Sequence, residues 1–372
     1  MSDKTRPLAL LAAGGTGGHL FPAISLRAEL KKRGYDVAIV TDKRAGQYAT
    51  DLPADELHAI DAATLSAGNP VRAVSSMWKL SRGVMQSRGL LRRLGADICV
   101  GFGGYPTVPP LLAARMARVP ALVHEQNAVL GRANRLLVKA GAALATGFPD
   151  PKGAASAKRL AFTGNPVRES VIDAGKMPYE PAGEEDSIRL LVFGGSQGAR
   201  ALSSLVPEAI ALLPRALRAR LQIVQQCRPE DLDTVRLLYG RLDVSAELAS
   251  FFQDLPAKIG ASHLVISRAG ASTVSELAVI GRPAILIPFP HAIDQDQAEN
   301  ARLLADVGGG WMMEEASLTA EGLASRLKEL IAHPDELAAA AAAAKKAGRP
   351  DAAERLADQV DELVSLTRGH RQ

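Results

Sequence analysis

The chain is poor in the features that would tie it to an oxidising compartment or hold it in a bilayer. It has two cysteines in 372 residues, Cys99 and Cys227. Both sit in or beside apolar runs of strand character, so they read as small buried hydrophobes, not as a disulfide framework or a metal site. The seven histidines show no metal-ligand spacing. No stretch stays apolar and charge-free for the length that crosses a membrane. The N-terminal MSDKTRP is basic, but the apolar run behind it is brief and ends at two glycines, so it does not read as a signal peptide. A cytoplasmic protein is expected. A net charge of +4 is mild, and nucleic-acid binding would need broader basic coverage, so no nucleic-acid partner is expected.

What the chain does contain suits a loop-rich α/β protein: 47% hydrophobic residues, 33 glycines and 22 prolines, in a length sufficient for two domains with cores. The proline- and charge-rich stretch 149–189 is where a boundary is expected. The division reads as a first domain over 1–165, a second over 166–345, and a C-terminal helix over 346–372 packing back toward the first.

Two stretches share one plan. LLVFGGSQGAR over 190–200 and LALLAAGGTGGHL over 8–20 each read as an apolar strand, a tight glycine turn and a helix start. Such a turn lets a phosphate meet backbone N–H groups at a helix N-terminus. Glycines there also serve simply to pack a helix against a sheet. The first loop departs from the dinucleotide fingerprint, because Leu20 stands where its third glycine belongs. A nicotinamide or flavin site is therefore not expected, although Asp42 follows the second strand as a ribose-binding acid would.

Along the first half, strands are expected at 8–12, 36–40, 97–100 and 120–123, and helices at 20–33 and 107–117, with a further short helix and strand through Ala145. The loops at 14–19, 101–106 (GFGGYP) and 124–127 (HEQN) lie at carboxyl ends of strands and converge on one crevice. TGNPVR over 163–168 is a stiff turn. The second half reads as strands 189–193, 221–225, 244–249, 263–266 and 283–287. Its helices are expected at 200–213, 230–241 and from Pro256, with three more at 319–331, 335–347 and 351–366. In SRAGASTVSE (267–276), Ser272 or Thr273 is expected to cap a helix that carries Glu276 one turn inside. The polar run Asp294, Gln295, Asp296, Gln297, Glu299, Asn300 offers donors and acceptors to sugar hydroxyls, or first-turn acids to a helix dipole.

Residues 71–93 carry six basic side chains (Arg72, Lys79, Arg82, Arg88, Arg92, Arg93) and no acid, interleaved with Met77, Trp78 and Met85. A helix with such a surface can lie on an anionic bilayer; an ordinary packed helix with a solvated basic edge has the same composition.

Taken together and in order, GGTGGH (14–19), GFGGYP (101–106), HEQN (124–127), TGNPVR (163–168), GGSQGAR (194–200), SRAGASTVSE (267–276) and the Gln297/Asn300 segment resemble the MurG family, the bacterial N-acetylglucosaminyl transferases that make lipid II. The resemblance runs along nearly the whole chain. It implies an α/β GT-B glycosyltransferase, with two Rossmann-like parallel-sheet domains facing across a deep cleft. It also implies inverting transfer of N-acetylglucosamine from UDP-N-acetylglucosamine to the C4 hydroxyl of a polyprenyl-linked muramoyl-pentapeptide. The implied place is the cytoplasmic face of the inner membrane, held peripherally through an anionic membrane surface, with other cell-wall enzymes as partners.

The resemblance also implies residue roles. Ser196, Gln197 and Gly198, with Gly194 and Gly195, would sit beside the UDP phosphates and meet the leaving diphosphate with loop amides. No metal and no cofactor is implied, since Asp294-x-Asp296 has metal-binding spacing but falls where the family contacts the sugar. Glu276 would take the ribose hydroxyls, the Phe252 backbone the uracil edge and Leu255 the base. Ala271, Ser272 and Thr273 would lie near the diphosphate and sugar. Gln297 and, from the other domain, Asn127 would hold the N-acetylglucosamine, and Arg168 would lie at the hinge. Asp296 stands where some relatives have glutamine or histidine; it accepts hydrogen bonds but cannot donate them. Thr16, Gly17 and Gly18, with Gly103, Gly104 and Tyr105, resemble loops that hold the lipid diphosphate. His19 is the expected proton acceptor, with His124 and Glu125 as competitors. A different GT-B transferase, using a UDP-sugar and another lipid or small-molecule acceptor, is the alternative.

Overall fold

The computed structural model describes residues 6–14, 17–41, 52–60, 70–194, 199–292 and 295–369. The chain divides into two compact units, Met1–Arg168 with Pro350–Gln372, and Glu169–Arg349.

The first unit contains β1 (Leu8–Ala12), α1 (Gly17–Lys32), β2 (Asp36–Thr41), β3 (Leu57–Ala59), α2 (Pro70–Leu94), β4 (Ile98–Gly101), α3 (Val108–Met116), β5 (Ala121–Glu125), α4 (Arg132–Lys139), β6 (Ala143–Thr146) and β7 (Leu160–Phe162). The second contains α5 (Glu169–Ala174), β8 (Ile188–Phe193), α6 (Ala199–Ala211), α7 (Arg215–Arg218), β9 (Leu221–Gln226), α8 (Leu232–Arg241), β10 (Ser245–Ala249), α9 (Leu255–Ala261), β11 (Leu264–Ser267), α10 (Ala271–Ile280), β12 (Ala284–Leu286), α11 (Asp296–Asp306), β13 (Gly310–Met312), α12 (Ala320–Ala332) and α13 (Pro334–Ala347). The last helix, α14 (Ala352–Gly369), returns to the first unit.

Each unit is built on one parallel sheet. The orders are β3-β2-β1-β4-β5-β6-β7 and β10-β9-β8-β11-β12-β13. Both run outward from the first strand in opposite directions, the doubly wound plan that opens a crevice at the carboxyl ends where the order reverses. In the first unit that point lies between β1 and β4; in the second it lies between β8 and β11.

The continuous apolar runs follow from burial on both faces. Side chains along β1 alternate: Ala9 and Leu11 enter the layer with Leu20, Leu26 and Leu30 of α1, whereas Leu8, Leu10 and Ala12 face Leu91, Leu111 and Leu137 of α2, α3 and α4. In the second unit Ile188, Leu190 and Val192 pack with Leu202, Val206, Leu323 and Leu327. Cys99 and Cys227 are free and buried within these cores.

Helix α14 belongs to the α1 face because Leu356, Ala357, Val360 and Val364 recur at helical spacing and are all buried there. Polar bonds set its register. Arg33 donates to Asp358 (2.7 Å), Asp361 (2.8 Å) and the Glu354 carbonyl (3.0 Å), and the Tyr35 hydroxyl donates to Asp361 (2.6 Å).

Several elements differ from the sequence expectation. The three-residue strands β3, β7 and β13 and the short helix α5 were not expected, since such lengths hold less than one readable period. All three strands lie on sheet edges, where short strands limit edge-to-edge pairing. Helix α1 begins at Gly17, so His19 is in its first turn and not in the preceding loop.

Replacing Leu356 with alanine is expected to destabilise the first unit by about 3 kcal/mol, since Leu→Ala in a closed core leaves a cavity. Denaturant unfolding followed separately for each unit is the check. A loss below about 0.5 kcal/mol, the level of an ordinary surface change, would show that α14 is not docked there.

Candidate active site

In the first unit the site is built around the imidazole of His19. It lies over the ends of β1 and β4, and three glycines make room for it. A Cβ at Gly14 would stand 3.0 Å from Cδ2 of the ring, and one at Gly103 would stand 3.2 Å from Cε1; Gly103 also has φ +87°. Gly104 faces the same ring at 3.5 Å. These glycines, expected as a phosphate cradle, therefore also have the task of seating a half-buried imidazole.

The HEQN residues continue inward from that ring. The Gln126 side-chain oxygen lies 3.4 Å from His19 Nδ1, and its amide nitrogen lies 3.2 Å from both Nδ1 and the carbonyl oxygen of His124. His124 is 0% exposed, and its Nε2 is 3.0 Å from the Gly164 carbonyl. Burial pushes the His124 pKa down to about 4. The His19 pKa is also lowered, chiefly by burial, with the nearby Glu125 carboxylate and hydrogen bonds to Gln126 and the Phe102 carbonyl acting in the opposite sense.

Glu125, 2% exposed, accepts from four groups: the Asn127 backbone N–H (3.0 Å), the Asn127 side-chain amide (3.3 Å), the Gly131 N–H (2.8 Å) and the Asn134 side-chain amide (2.8 Å). The carboxylate thereby organises the loop from β5 into α4. TGNPVR locks onto the same loop. Asn165 donates to the Gln126 carbonyl at 2.9 Å, and Gly147 is glycine because a Cβ there would stand 1.9 Å from the Asn165 side-chain oxygen. Arg168 places its guanidinium 4.3 Å from the ring centroid of Phe21 on α1, the distance of a cation–π contact. Gly17 and Gly18 form the start of α1.

In the second unit the loop after β11 is held from both sides. Gln297 on α11 accepts from the Ala269 N–H (3.3 Å) and the Phe289 N–H (3.0 Å), while Asn300 donates to the Ala269 carbonyl (3.1 Å). Arg268 is buried, pairs with Glu315, and donates to the Ile287 and Pro288 carbonyls. The expected hydroxyl cap is corrected here. Helix α10 starts at Ala271 with Gly270 as its N-cap and no side-chain cap bond, so Ser272 and Thr273 lie inside the first turn. Glu276 is buried one turn further on. Asp296 and Glu299 occupy the first turn of α11, where acids complement the dipole, and Gln295 before them has φ 55°. Phe252 is buried under the ammonium of Lys258, 4.9 Å from its ring centroid, and Leu255 opens α9.

Thr16, Ser196, Gln197 and Gly198 lie outside the described residues, as do Gly15, Gly195 and Asp294. The structure draws His19, His124, Glu125 and Asn127 together in one unit and Ala271, Ser272, Thr273, Glu276 and Gln297 in the other. Asn134 and Asn165 had no role assigned from sequence, and Asn300 was noted only within a polar run. All three are buried amides set among polar or turn-forming neighbours, so the sequence carried no signal that set them apart. Among the described residues no group of three or more His, Cys, Asp or Glu is placed to hold a metal ion, and no helix is long and apolar enough to cross a membrane.

The models of the glycosyltransferase family 28 N-terminal and C-terminal domains match residues 9–146 and 189–356. A relative from Rhizobium rhizogenes is 52% identical over 97% of this chain and 96% of its own length; one from a Chelativorans species is 54% identical over 96% and 95%. Both are named UDP-N-acetylglucosamine–N-acetylmuramyl-(pentapeptide) pyrophosphoryl-undecaprenol N-acetylglucosamine transferase. The crystal structure of MurG from Acinetobacter baumannii aligns with a TM-score of 0.78 at 28% identity, covering 96% of this chain and 99% of that one. The two doubly wound units thus form a GT-B fold, and the chain belongs to glycosyltransferase family 28, in the MurG family.

Proposed function

We infer that the chain transfers N-acetylglucosamine from UDP-N-acetylglucosamine to the C4 hydroxyl of the muramoyl residue of an undecaprenyl-pyrophosphoryl muramoyl-pentapeptide, forming lipid II with inversion at the anomeric carbon. The observation that carries this is the identity above 50% with transferases of that name over almost the full chain.

In this reading the C4 oxygen attacks the anomeric carbon, the bond from that carbon to the UDP oxygen breaks with its electron pair leaving on the diphosphate, and the hydroxyl proton goes to His19. Among the candidates His19 suits the task best. His124 has both ring nitrogens engaged inside the core, and Glu125 already receives four donors. The Gln126 contact of His19 falls on Nδ1, the nitrogen opposite Nε2.

On the donor side, the uncapped first turn of α10 with Ala271, Ser272 and Thr273 supplies N–H groups suited to a diphosphate. The Glu276 carboxylate can accept from both ribose hydroxyls. Since backbone groups hold the Gln297 oxygen, its NH2 is what remains to donate to the sugar. Phe252 and Leu255 for the base, and Ser196, Gln197 and Gly198 for the phosphates, rest on the resemblance. Neutralisation by backbone N–H groups is a role that needs no metal ion.

The partners beyond the substrates follow from surface chemistry. On α2, Met77, Trp78 and Met85 are 66%, 63% and 60% exposed, and Arg82 lies over the Trp78 ring at 5.6 Å. Exposed apolar side chains set among Lys79, Arg82, Arg92 and Arg93 suit an anionic bilayer. Such a surface would keep the enzyme at the cytoplasmic face of the inner membrane, where the polyprenyl tail stays in lipid and other cell-wall enzymes act.

Transfer of labelled N-acetylglucosamine to a lipid I analogue tests the activity. The wild type is expected to be insensitive to EDTA. Glu276→Ala is expected to raise KM for the donor about ten- to a hundredfold, and His19→Ala to lower kcat at least about a hundredfold. UDP-sugar binding without transfer would overturn the acceptor assignment. For the membrane face, Trp78→Glu with Met85→Glu is expected to reduce flotation with phosphatidylglycerol vesicles, and added salt to weaken what remains; unchanged flotation at low salt counts against α2 as the contact.

The depressed pKa of His124 fixes a sign. The unfolded histidine titrates near 6.5 and the folded one near 4, so the unfolded state binds more protons between those values. Stability from this group is full above about pH 6.5 and falls as the solution is acidified toward pH 4. Between pH 7 and pH 5 the first unit is expected to lose about 1–2 kcal/mol in denaturant titrations. The same loss in His124→Gln would assign it to other groups.

A further inference from the structure

We propose that Gln126 is a positioning residue that, through a directional chain from the Gly164 carbonyl, fixes His19 as the tautomer with hydrogen on Nδ1 and a bare Nε2 turned to the acceptor hydroxyl. The inference rests on His19 being the proton acceptor of the proposed reaction.

The chain has one consistent direction. A backbone carbonyl only accepts, so His124 Nε2, 3.0 Å from the Gly164 oxygen, carries the hydrogen. His124 is fully buried and neutral, since desolvation holds its pKa near 4, and its Nδ1 is therefore bare. A bare nitrogen needs a donor, so the NH2 end of Gln126 faces it; that same NH2 is 3.2 Å from the His124 carbonyl, a second acceptor. Reversing the amide would set its oxygen against both acceptors. The oxygen of Gln126 is left facing His19 Nδ1 at 3.4 Å, which must then donate. The Phe102 backbone also favours the protonated ring. Asn165 keeps the chain in register by donating to the Gln126 carbonyl from the same turn that supplies Gly164.

The tautomer matters because the two ring nitrogens are not equivalent. With Nδ1–H satisfied inside the protein, the lone pair on Nε2 can take the C4 hydroxyl proton as the new carbon–oxygen bond forms. The resulting imidazolium keeps the Gln126 oxygen as an acceptor and has the Glu125 carboxylate nearby. The elements around the ring are the loops after β1, β4 and β5, with Asn134 of α4 beside Gly103. Among their described groups, Glu125 acts on His19 directly, His124 acts through Gln126, and Asn134 is neutral.

The test combines spectroscopy with pH profiles. In the ¹⁵N-histidine spectrum of the wild type at neutral pH, His19 is expected to show a protonated Nδ1 and a bare Nε2; the opposite tautomer overturns the proposal whatever the variants do. Gln126→Leu removes an interaction that raises the His19 pKa. Its acid limb of kcat is expected to move to lower pH with a plateau about tenfold lower, within the range of general-base effects. Gln126→Glu places a carboxylate against Nδ1 and is expected to move the limb to higher pH. Donor KM should stay within about twofold in both, as the lost interaction belongs to the transition state. His19→Ala separates the two ideas. If it retains turnover and the acid limb, the proton-acceptor reading fails. If it loses turnover while both Gln126 variants keep the wild-type limb, that reading stands and the role of Gln126 is refuted.

Discussion

A carboxylate at 2% exposure must find partners for both oxygens, and Glu125 finds them in the loop that leads from β5 into α4. That requirement shapes the first half of the site. The Asn127 and Gly131 N–H groups must point inward, the loop closes over the acid, and Asn134 is drawn in from α4. His124 and Gln126 flank Glu125 on the same strand end and take the opposite route, bonding to Gly164 and His19. One buried network thus joins three segments that are far apart in sequence, at 19, 124–134 and 163–165. The glycines at 14, 103, 104 and 147 are the spaces this network needs.

The second unit meets the same problem with amide and guanidinium groups directed at backbone. Gln297 and Asn300 hold the N–H and C=O of Ala269, fixing the loop ahead of α10. At the other end of α10, Arg282 is buried and donates to the carbonyls of Gly260, Ile280, Gly281, Met177 and Pro178. Lys345 adds bonds to Gly175 and Val279. Cations at helix C-termini complement the dipole and fill otherwise orphaned acceptors. With its carboxyl end fastened by cations and its preceding loop by amides, α10 holds its uncapped N-terminal turn in a fixed place.

The two halves also divide the chemistry. The first unit contains an imidazole whose neutral form burial favours, and the second an uncapped helix start with a buried carboxylate, Glu276, one turn further on; under the proposed reaction these would serve the nucleophile and the nucleotide sugar respectively.

The order of most strands and helices was legible in local signals: apolar runs of strand length, glycine turns after them, and helical spacing of hydrophobes. The GT-B architecture and the family were legible through the resemblance of the motifs taken in order. The polar cluster HEQN stood out because polar residues at the end of an apolar run have few reasons to be there, and TGNPVR stood out as a stiff turn. What each polar side chain does was decided only by tertiary structure. Nothing in the spelling of HEQN shows that the imidazole at 124 is closed inside the core, since that depends on a carbonyl 40 residues away. Likewise Ser272 and Thr273 look like caps until Gly270 takes that position, and Gln297 looks like a free amide until two backbone N–H groups claim its oxygen. Periodicity is a property of neighbours along the chain, whereas the satisfaction of a buried donor or acceptor depends on whatever the fold brings within 3 Å or so.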